Sequence, residues 1–525
     1  MQYFDFHAHI VLKQVFQDKP NIDTIIYASD VSLIPELCSD LPYIIESQIH
    51  QSQLASFHDE VIVGAVLHGL ESFLAAGVIP LQKNLRQASR YKLSVPLLQA
   101  VAAPTYKTFS DFVVTRILDL YLQAKASFNI LGPGSFGAPL PTNKVNIFFS
   151  VEGCHSLANT VNRATSTQGY DPKEILANLD ILLGQVKILT ANLTHLQQSN
   201  LCNHAFGMQL TDPSPFYPMG NGLTDDGRQV LQGLFDRHVG VDLKHMSYKT
   251  RQDLRSDIAA GKFRNVPPPM CTHAGFTGIA FKDWPAYIHR KKQVTPGVLY
   301  LEIAKTIQLA NGPARPAPGF NMSTINLFND DIEWIVRNGG MIGLSMDRRI
   351  LGFVGRHDNR PTGIDQDATL VIDMEYVSSA EWLAFGIPDD QLGKAISGDS
   401  CVQLSDVEAG SEASIPERDD YFYAHVLLHI KHFFQVCVDA GISVAEAQQH
   451  LSIGSDFDGL VNPFINTQTC LNMGALKKYI VKNLGNFLRQ LTDSVKWAGQ
   501  LNVPAFADDL FYNNGYAFVK AFFAR

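Results

Sequence analysis

"VNIFFSVEGCHSL", residues 145–157, is a short apolar run that ends abruptly on a glutamate and a glycine. A run of this length, flanked by turn-forming residues, reads as a strand buried on both faces, here 145–151. The same layout recurs in both directions along the chain. Toward the N-terminus, "MQYFDFHAHI" (1–10) alternates so that Asp5, His7 and His9 share one strand face and Phe4, Phe6 and Ala8 the other. Same-face neighbours lie roughly 6.5 Å apart, so the two imidazoles can converge on one ion with Asp5 as an acceptor behind them. Toward the C-terminus, "VKILTANLTH" runs into Thr194 and His195, and "HVGVDLKHMS" into Asp242 and His245. "PPPMCTHAGF" ends on Thr272 and His273, and "QQHLSIGSDFDGL" on Asp456 and Asp458. "NGGMIGLSMD" (338–347) is a strand with no evident ligand.

Between these runs lie segments of helical spacing: "DPKEILANLDILLGQ", "DDGRQVLQGLFDRH" and "NLFNDDIEWIVRN". The last carries a start signal in Asn326, ahead of Asp330 and Asp331, and a Gly-Gly stop at 339–340. Strand–helix alternation predicts a parallel sheet covered by helices, and polar residues repeated at the C-terminal ends of strands are where a (β/α)₈ barrel builds its active site. The expected fold is α/β: a single TIM-type barrel over 1–525, with a helical excursion at 11–140 and long loop insertions at 276–322 and 348–420.

Bulk properties agree with a globular chain and exclude several classes. Of 525 residues, 46% are hydrophobic and 18% charged, which excludes a largely disordered chain. The net charge is −9 with no basic block, so neither nucleic acid nor an anionic membrane surface is an expected partner. No apolar run approaches the ~20 residues that span a bilayer, and residues 1–10 lack the layout of a signal peptide. Seven scattered cysteines without CxxC spacing fit reduced thiols, hence a cytoplasmic location. The oligomeric state stays open, a homo-oligomer included.

Taken alone, His195 or His245 is more often a structural histidine, and Asp458 a turn residue. Together, imidazoles and carboxylates on several strand ends form a metal-site constellation without cysteine, which suits two divalent ions, Zn²⁺ by ligand type. Glu152 is placed to bridge them, with His7 and His9 on the first ion and His245 and His273 on the second. A water between two such ions loses a proton near neutral pH and becomes a hydroxide nucleophile. Asp456 is then the expected general base and acid, and His195 the group that polarises the carbonyl or holds the oxyanion. The reaction class is hydrolysis of an amide-like bond.

The motifs "VEGCHSL", "LTHLQQSN", "GLTDDGRQVL", "VDLKHMS", "CTHAGF", "RNGGMIGLSM" and "IGSDFDGL", with the terminal "YNNGYAFVKAFF", resemble in order and content the membrane (renal) dipeptidase family, peptidase family M19 of the amidohydrolase superfamily. The resemblance covers much of 1–12, 145–275, 323–346 and 425–525. It implies a metallodipeptidase acting on small peptides. It also implies a bridging role for Glu152, second-metal roles for His245 and His273, substrate contact for His195 and acid/base work for Asp456.

Two features depart from the family. Its N-terminal pair is usually His-x-Asp, whereas this chain has His7 and His9. The arginine that grips a dipeptide carboxylate has no counterpart in "THAGFTGIAFKDWPAYIHRKKQ", so a relocated clamp at Arg348 or Arg349, or no clamp at all, is expected. Without a clamp, an N-acyl amino acid or a cyclic amide becomes the alternative substrate. A rival enzyme class is a polymerase-and-histidinol-phosphatase-type phosphoesterase, which would want further histidines for a third ion. A scaffold on an inactive barrel is the non-enzymatic alternative, but each proposed position keeps a competent side chain.

Overall fold

The computed structural model describes residues 1–15, 59–79, 94–160, 169–207, 214–304, 320–347, 349–352, 372–393, 415–459, 461, 463, 467 and 469–525. Its strands are β1 (Tyr3–Ala8), β2 (Val61–His68), β3 (Phe128–Ile130), β4 (Val145–Glu152), β5 (Ile188–Asn192) and β6 (Gly240–Asp242). They continue with β7 (Met270–Ala274), β8 (Ile288–Thr295), β9 (Val298–Ala304), β10 (Met341–Leu344), β11 (Ile372–Ser378) and β12 (Leu451–Ile453). Eight of them run parallel in the order β1-β2-β4-β5-β6-β7-β10-β12. The seam between β12 and β1 closes through a parallel bridge from Ala8 to Phe457. There His9 N donates to Phe457 O at 2.8 Å and Asp456 N donates to His7 O at 2.9 Å. This is the expected (β/α)₈ barrel.

Helices Pro172–Leu183, Asp225–Asp236, Tyr248–Ala259, Asn329–Arg337 and Ile415–Asp439 lie between the later strands. Three are capped as their sequences dictate: Asp171, Thr224 and Ser247 each accept a backbone N–H of the first turn. The fourth is not capped by Asn326. That side chain instead holds Gly275 N at 3.2 Å and Ile350 O at 2.8 Å, while Asp331 accepts the Phe328 N–H at 3.2 Å. An interior tertiary demand has overridden the local signal.

The helical excursion expected at 11–140 is corrected in its described part. It contributes the fully buried barrel strand β2, "VIVGAVLH", and the short β3 beside β4, as well as helices such as Val95–Ala102. A short apolar run cannot be told from a buried helix segment by periodicity. Residues 16–58 and 80–93 of that stretch lie outside the described residues.

The barrel floor is one cluster, with Phe4 and Phe6 from β1, Ile62, Phe148, Leu189, Met270 and Met341 from five other barrel strands, and Val519 and Phe522 from the helix Asn514–Phe523. Strict alternation would have put Phe6 and His7 on opposite faces. The register of β1 against β2 shifts between Asp5 and Ala8, so Phe6 reaches the floor while His7 reaches the centre above it.

Parts of the two expected insertions come together. β9, from 276–322, pairs antiparallel with its neighbour β8 on one side and with β11, from 348–420, on the other, around Trp284, Leu301, Met322 and Trp382. Glu381 ties this sheet to the barrel: it accepts Ser247 Oγ at 2.6 Å and Gly222 N at 2.9 Å. Burial pushes its carboxyl up from 4.5 to about 7 against those hydrogen bonds. The unfolded chain therefore releases this proton first, and stability falls as pH rises between about 4.5 and 7. Glu381→Gln is expected to remove on the order of 2–3 kcal/mol of that slope, read as urea midpoints at pH 5 and pH 8. An unchanged slope would show that Glu381 does not titrate there.

Candidate metal centre

The C-terminal ends of the barrel strands deliver their ionisable side chains to one point, the Glu152 carboxylate at the end of β4, which is 2% exposed. His7 Nε2 lies 3.3 Å and His245 Nε2 3.2 Å from Glu152 Oε1, and His9 Nε2 lies 3.1 Å from Oε2. His273 and His195 approach Oε1 with Nε2 at 3.7 and 3.8 Å. Asp456 joins the same group: its Oδ1 is 3.5 Å from His9 and 3.8 Å from His7, and its Oδ2 is 3.8 Å from His273. All seven residues picked out from the sequence, His7, His9, Glu152, His195, His245, His273 and Asp456, are thus brought together.

Backbone strain accompanies this convergence. His245 (φ 67°) and Asp456 (φ 60°) occupy the left-handed region that non-glycine residues avoid, as does neighbouring Asp458 (φ 65°).

The hydrogen bonds behind the imidazoles determine what they present to the centre. Thr272 Oγ1 donates its single proton to Asp242 Oδ2 at 2.5 Å, so it can only accept from His7 Nδ1 and His273 Nδ1, each at 3.1 Å. Both rings then carry N–H at Nδ1 and turn Nε2 toward Glu152. Among the described residues His7 Nε2 is buried with no hydrogen-bond partner, as expected of a ligand atom. Burial and the surrounding charged groups hold His245 and His273 well below the usual histidine range, so they are neutral and ligation-competent. Burial alone would raise Glu152, but His195, His7 and His9 outweigh it and keep the carboxylate ionised. Donor atoms of His7, His9 and Glu152, and of Glu152, His195 and His245, lie within 4.8 Å of one another, as do those of His7, Asp242 and His273. The donor set fits divalent ions.

Asp5 does not stand behind the histidines as expected. It accepts Ser455 N at 2.8 Å, Ser455 Oγ at 2.5 Å and Tyr3 OH at 2.8 Å, so it bolts β1 to the segment after β12.

Three residues outside the expected set complete the surroundings. Glu71 Oε1 binds His195 Nδ1, and Glu71 Oε2 is 3.4 Å from His68 Nε2 at the end of β2. His155 Nε2 is 3.8 Å from Glu71 Oε1 and donates to Gly69 O at 2.6 Å. The signal for His68 and Glu71 is the one carried by the other strands, an apolar run followed by an ionisable residue, hidden by the helical reading of 11–140.

A cavity of about 100 Å³ opens over the centre, with Lys244, Asp347 and Arg349 in its wall beside His195, His245 and Asp456. Arg349 reaches it already bound to Asp347, through Nη2–Oδ2 at 2.6 Å and Nε–Oδ1 at 3.1 Å. Arg348 lies outside the described residues. No described helix is long and apolar enough to cross a membrane.

No protein-family profile matches the chain, and no curated protein sequence matches it. Similar solved structures exist. A metallopeptidase from Rhodobacter sphaeroides, bound to a phosphinate mimic of the dipeptide L-Ala-D-Ala, is similar over 99% of this chain and 99% of its own, with a TM-score of 0.51 and 13% identity. A dipeptidase described as a metallopeptidase of family M19 is similar over 100% of this chain and 99% of its own, with a TM-score of 0.49 and 12% identity. At such identity the likeness to the Rhodobacter enzyme speaks for the fold alone: the described residues form a (β/α)₈ barrel similar to that structure.

Proposed function

We infer that this protein is a metal-dependent hydrolase of the membrane dipeptidase type (peptidase family M19), cleaving the amide bond of a dipeptide or a similarly small substrate. The observation that carries this reading is the convergence of five histidines and Asp456 on one buried carboxylate at the mouth of the barrel. His7, His9 and Glu152 would hold one divalent ion, and Glu152, His245 and His273 the other, with Zn²⁺ the expected metal. Bound there, the ions supply Lewis acidity and acidify water toward a nucleophile near neutral pH. Asp456, across the centre from Glu152, takes the proton of the attacking water and returns it to the departing nitrogen, so water and amide become acid and amine. His195 Nε2 faces the developing oxyanion while Glu71 holds the opposite ring nitrogen.

Protein purified without chelator is expected to carry about two divalent ions per chain, measured by plasma mass spectrometry. Hydrolysis of a dipeptide panel should stop on chelation and return with Zn²⁺, Mn²⁺ or Co²⁺. Absence of metal together with no hydrolysis after reconstitution would favour the scaffold.

Glu71→Gln probes the support of His195. Losing an orienting carboxylate costs roughly 10–100-fold in activity at related sites, and metal content should stay unchanged. Full activity in Glu71→Gln would remove Glu71 from the machinery.

One observation favours a second reading. His68, Glu71 and His155 bring their donor atoms within 4.8 Å of one another beside the main centre, the further group that a three-ion phosphoesterase would use. Against it, His155 Nε2 is engaged by Gly69 O and Glu71 by His195. Three ions per chain and hydrolysis of phosphomonoesters in place of peptides would decide for the phosphoesterase.

A further inference from the structure

The segment after β6 presents two ionisable side chains in succession, and the reaction above uses only His245. Lys244 beside it is 2% exposed, lines the cavity over the centre, and has no hydrogen-bond partner for Nζ among the described residues. An ammonium offers three donors, and burying it with none engaged is unfavourable; a leucine or methionine would fill the same space without that penalty. Its placement is determined by the backbone: Lys244 N donates to Asp242 Oδ1 at 3.0 Å, and its carbonyl accepts Asn192 Nδ2 at 3.0 Å.

The nearby acids are engaged elsewhere. Asp347 holds Arg349, Asp242 holds Thr272, and Asp456 faces His7, His9 and His273. Of the two lysine or arginine side chains in the described cavity wall, Arg349 is already paired with Asp347, which leaves Lys244 as the cation awaiting an anion.

We propose that Lys244 is the anion-binding residue of this cavity and receives the free carboxylate of a small substrate whose reacting carbonyl lies over Glu152. The carboxylate supplies the acceptors that no described residue offers to Nζ. The word "substrate" rests on the hydrolase reading; the anion site itself does not.

The test is calorimetric binding of a non-hydrolysable Ala-Ala isostere, with CH₂–NH in place of the amide, to zinc-loaded protein. The isostere is offered as the free acid and as the C-terminal amide. Wild type should prefer the acid by about a hundredfold, the scale of a buried charge contact. Lys244→Met should abolish that preference while keeping wild-type metal content and a thermal midpoint no lower than wild type, since a buried charge gives way to an apolar chain of similar length. Lys244→Arg should retain part of the preference, and Lys244→Gln repeats the test should the methionine variant fold poorly.

No acid preference in wild type, or an undiminished preference in Lys244→Met or Lys244→Gln, overturns the assignment. If no peptide is hydrolysed but the acid preference exists and vanishes in Lys244→Met, the anion site stands and the hydrolase reading falls. If dipeptides are hydrolysed and Lys244→Met keeps the preference for free acids, the hydrolase reading stands and Lys244 is excluded.

Discussion

Glu152→Ala is expected to abolish metal binding and hydrolysis together. Glu152 is the one carboxylate that lies within 3.8 Å of all five of His7, His9, His195, His245 and His273 among the described residues, so both proposed ion positions depend on it. Without it, Asp456 remains beside His7, His9 and His273 and Glu71 beside His195, but no carboxylate joins the two histidine pairs to offset two dications. Metal content should fall from about two ions per chain to below one, and turnover to the detection limit. Binding of an ion to the folded state raises stability by mass action. Chelator should therefore lower the thermal midpoint of wild type and leave that of Glu152→Ala unmoved, a readout independent of activity. Retention of two ions in the variant would place the bridge elsewhere.

Asp456→Asn should separate chemistry from binding. The amide has the size of the carboxylate but cannot accept and return a proton, and loss of a general acid–base group lowers rates roughly 10²–10⁴-fold. Because the interaction matters in the transition state, kcat should fall while KM changes little, and metal content should remain near the wild-type value. Asp456 touches the centre only at 3.5–3.8 Å and holds a left-handed backbone, an arrangement suited to positioning a reactive group more than to anchoring an ion. Wild-type behaviour of Asp456→Asn, with Asp458→Asn inactive, would exchange the two roles.

The sequence by itself determines the barrel and most of its centre. Parallel strands buried on both faces must be written as short apolar runs. An ionisable residue closing such a run interrupts the pattern sharply enough to be seen without any contact, as at Glu152, His245, His273 and Asp456. Where burial is continuous the local pattern loses its meaning. Val61–Leu67 carries the same composition as its neighbours, yet a run of seven apolar residues is compatible with helix or strand, and misreading it hides His68 and Glu71. Tertiary structure alone decides which side chains meet. The register shift in β1 sends Phe6 to the floor and His7 to the centre, Ser455 claims Asp5, and β9 finds β11 from the other insertion. Lys244 shows the distinction most plainly: its letter says only that a cation follows Leu243. Among the described residues it lacks a partner because barrel closure places the nearby carboxylates Asp242, Asp347 and Asp456 against other groups, and hydrogen-bond satisfaction is a property of the packed interior that no local spacing records.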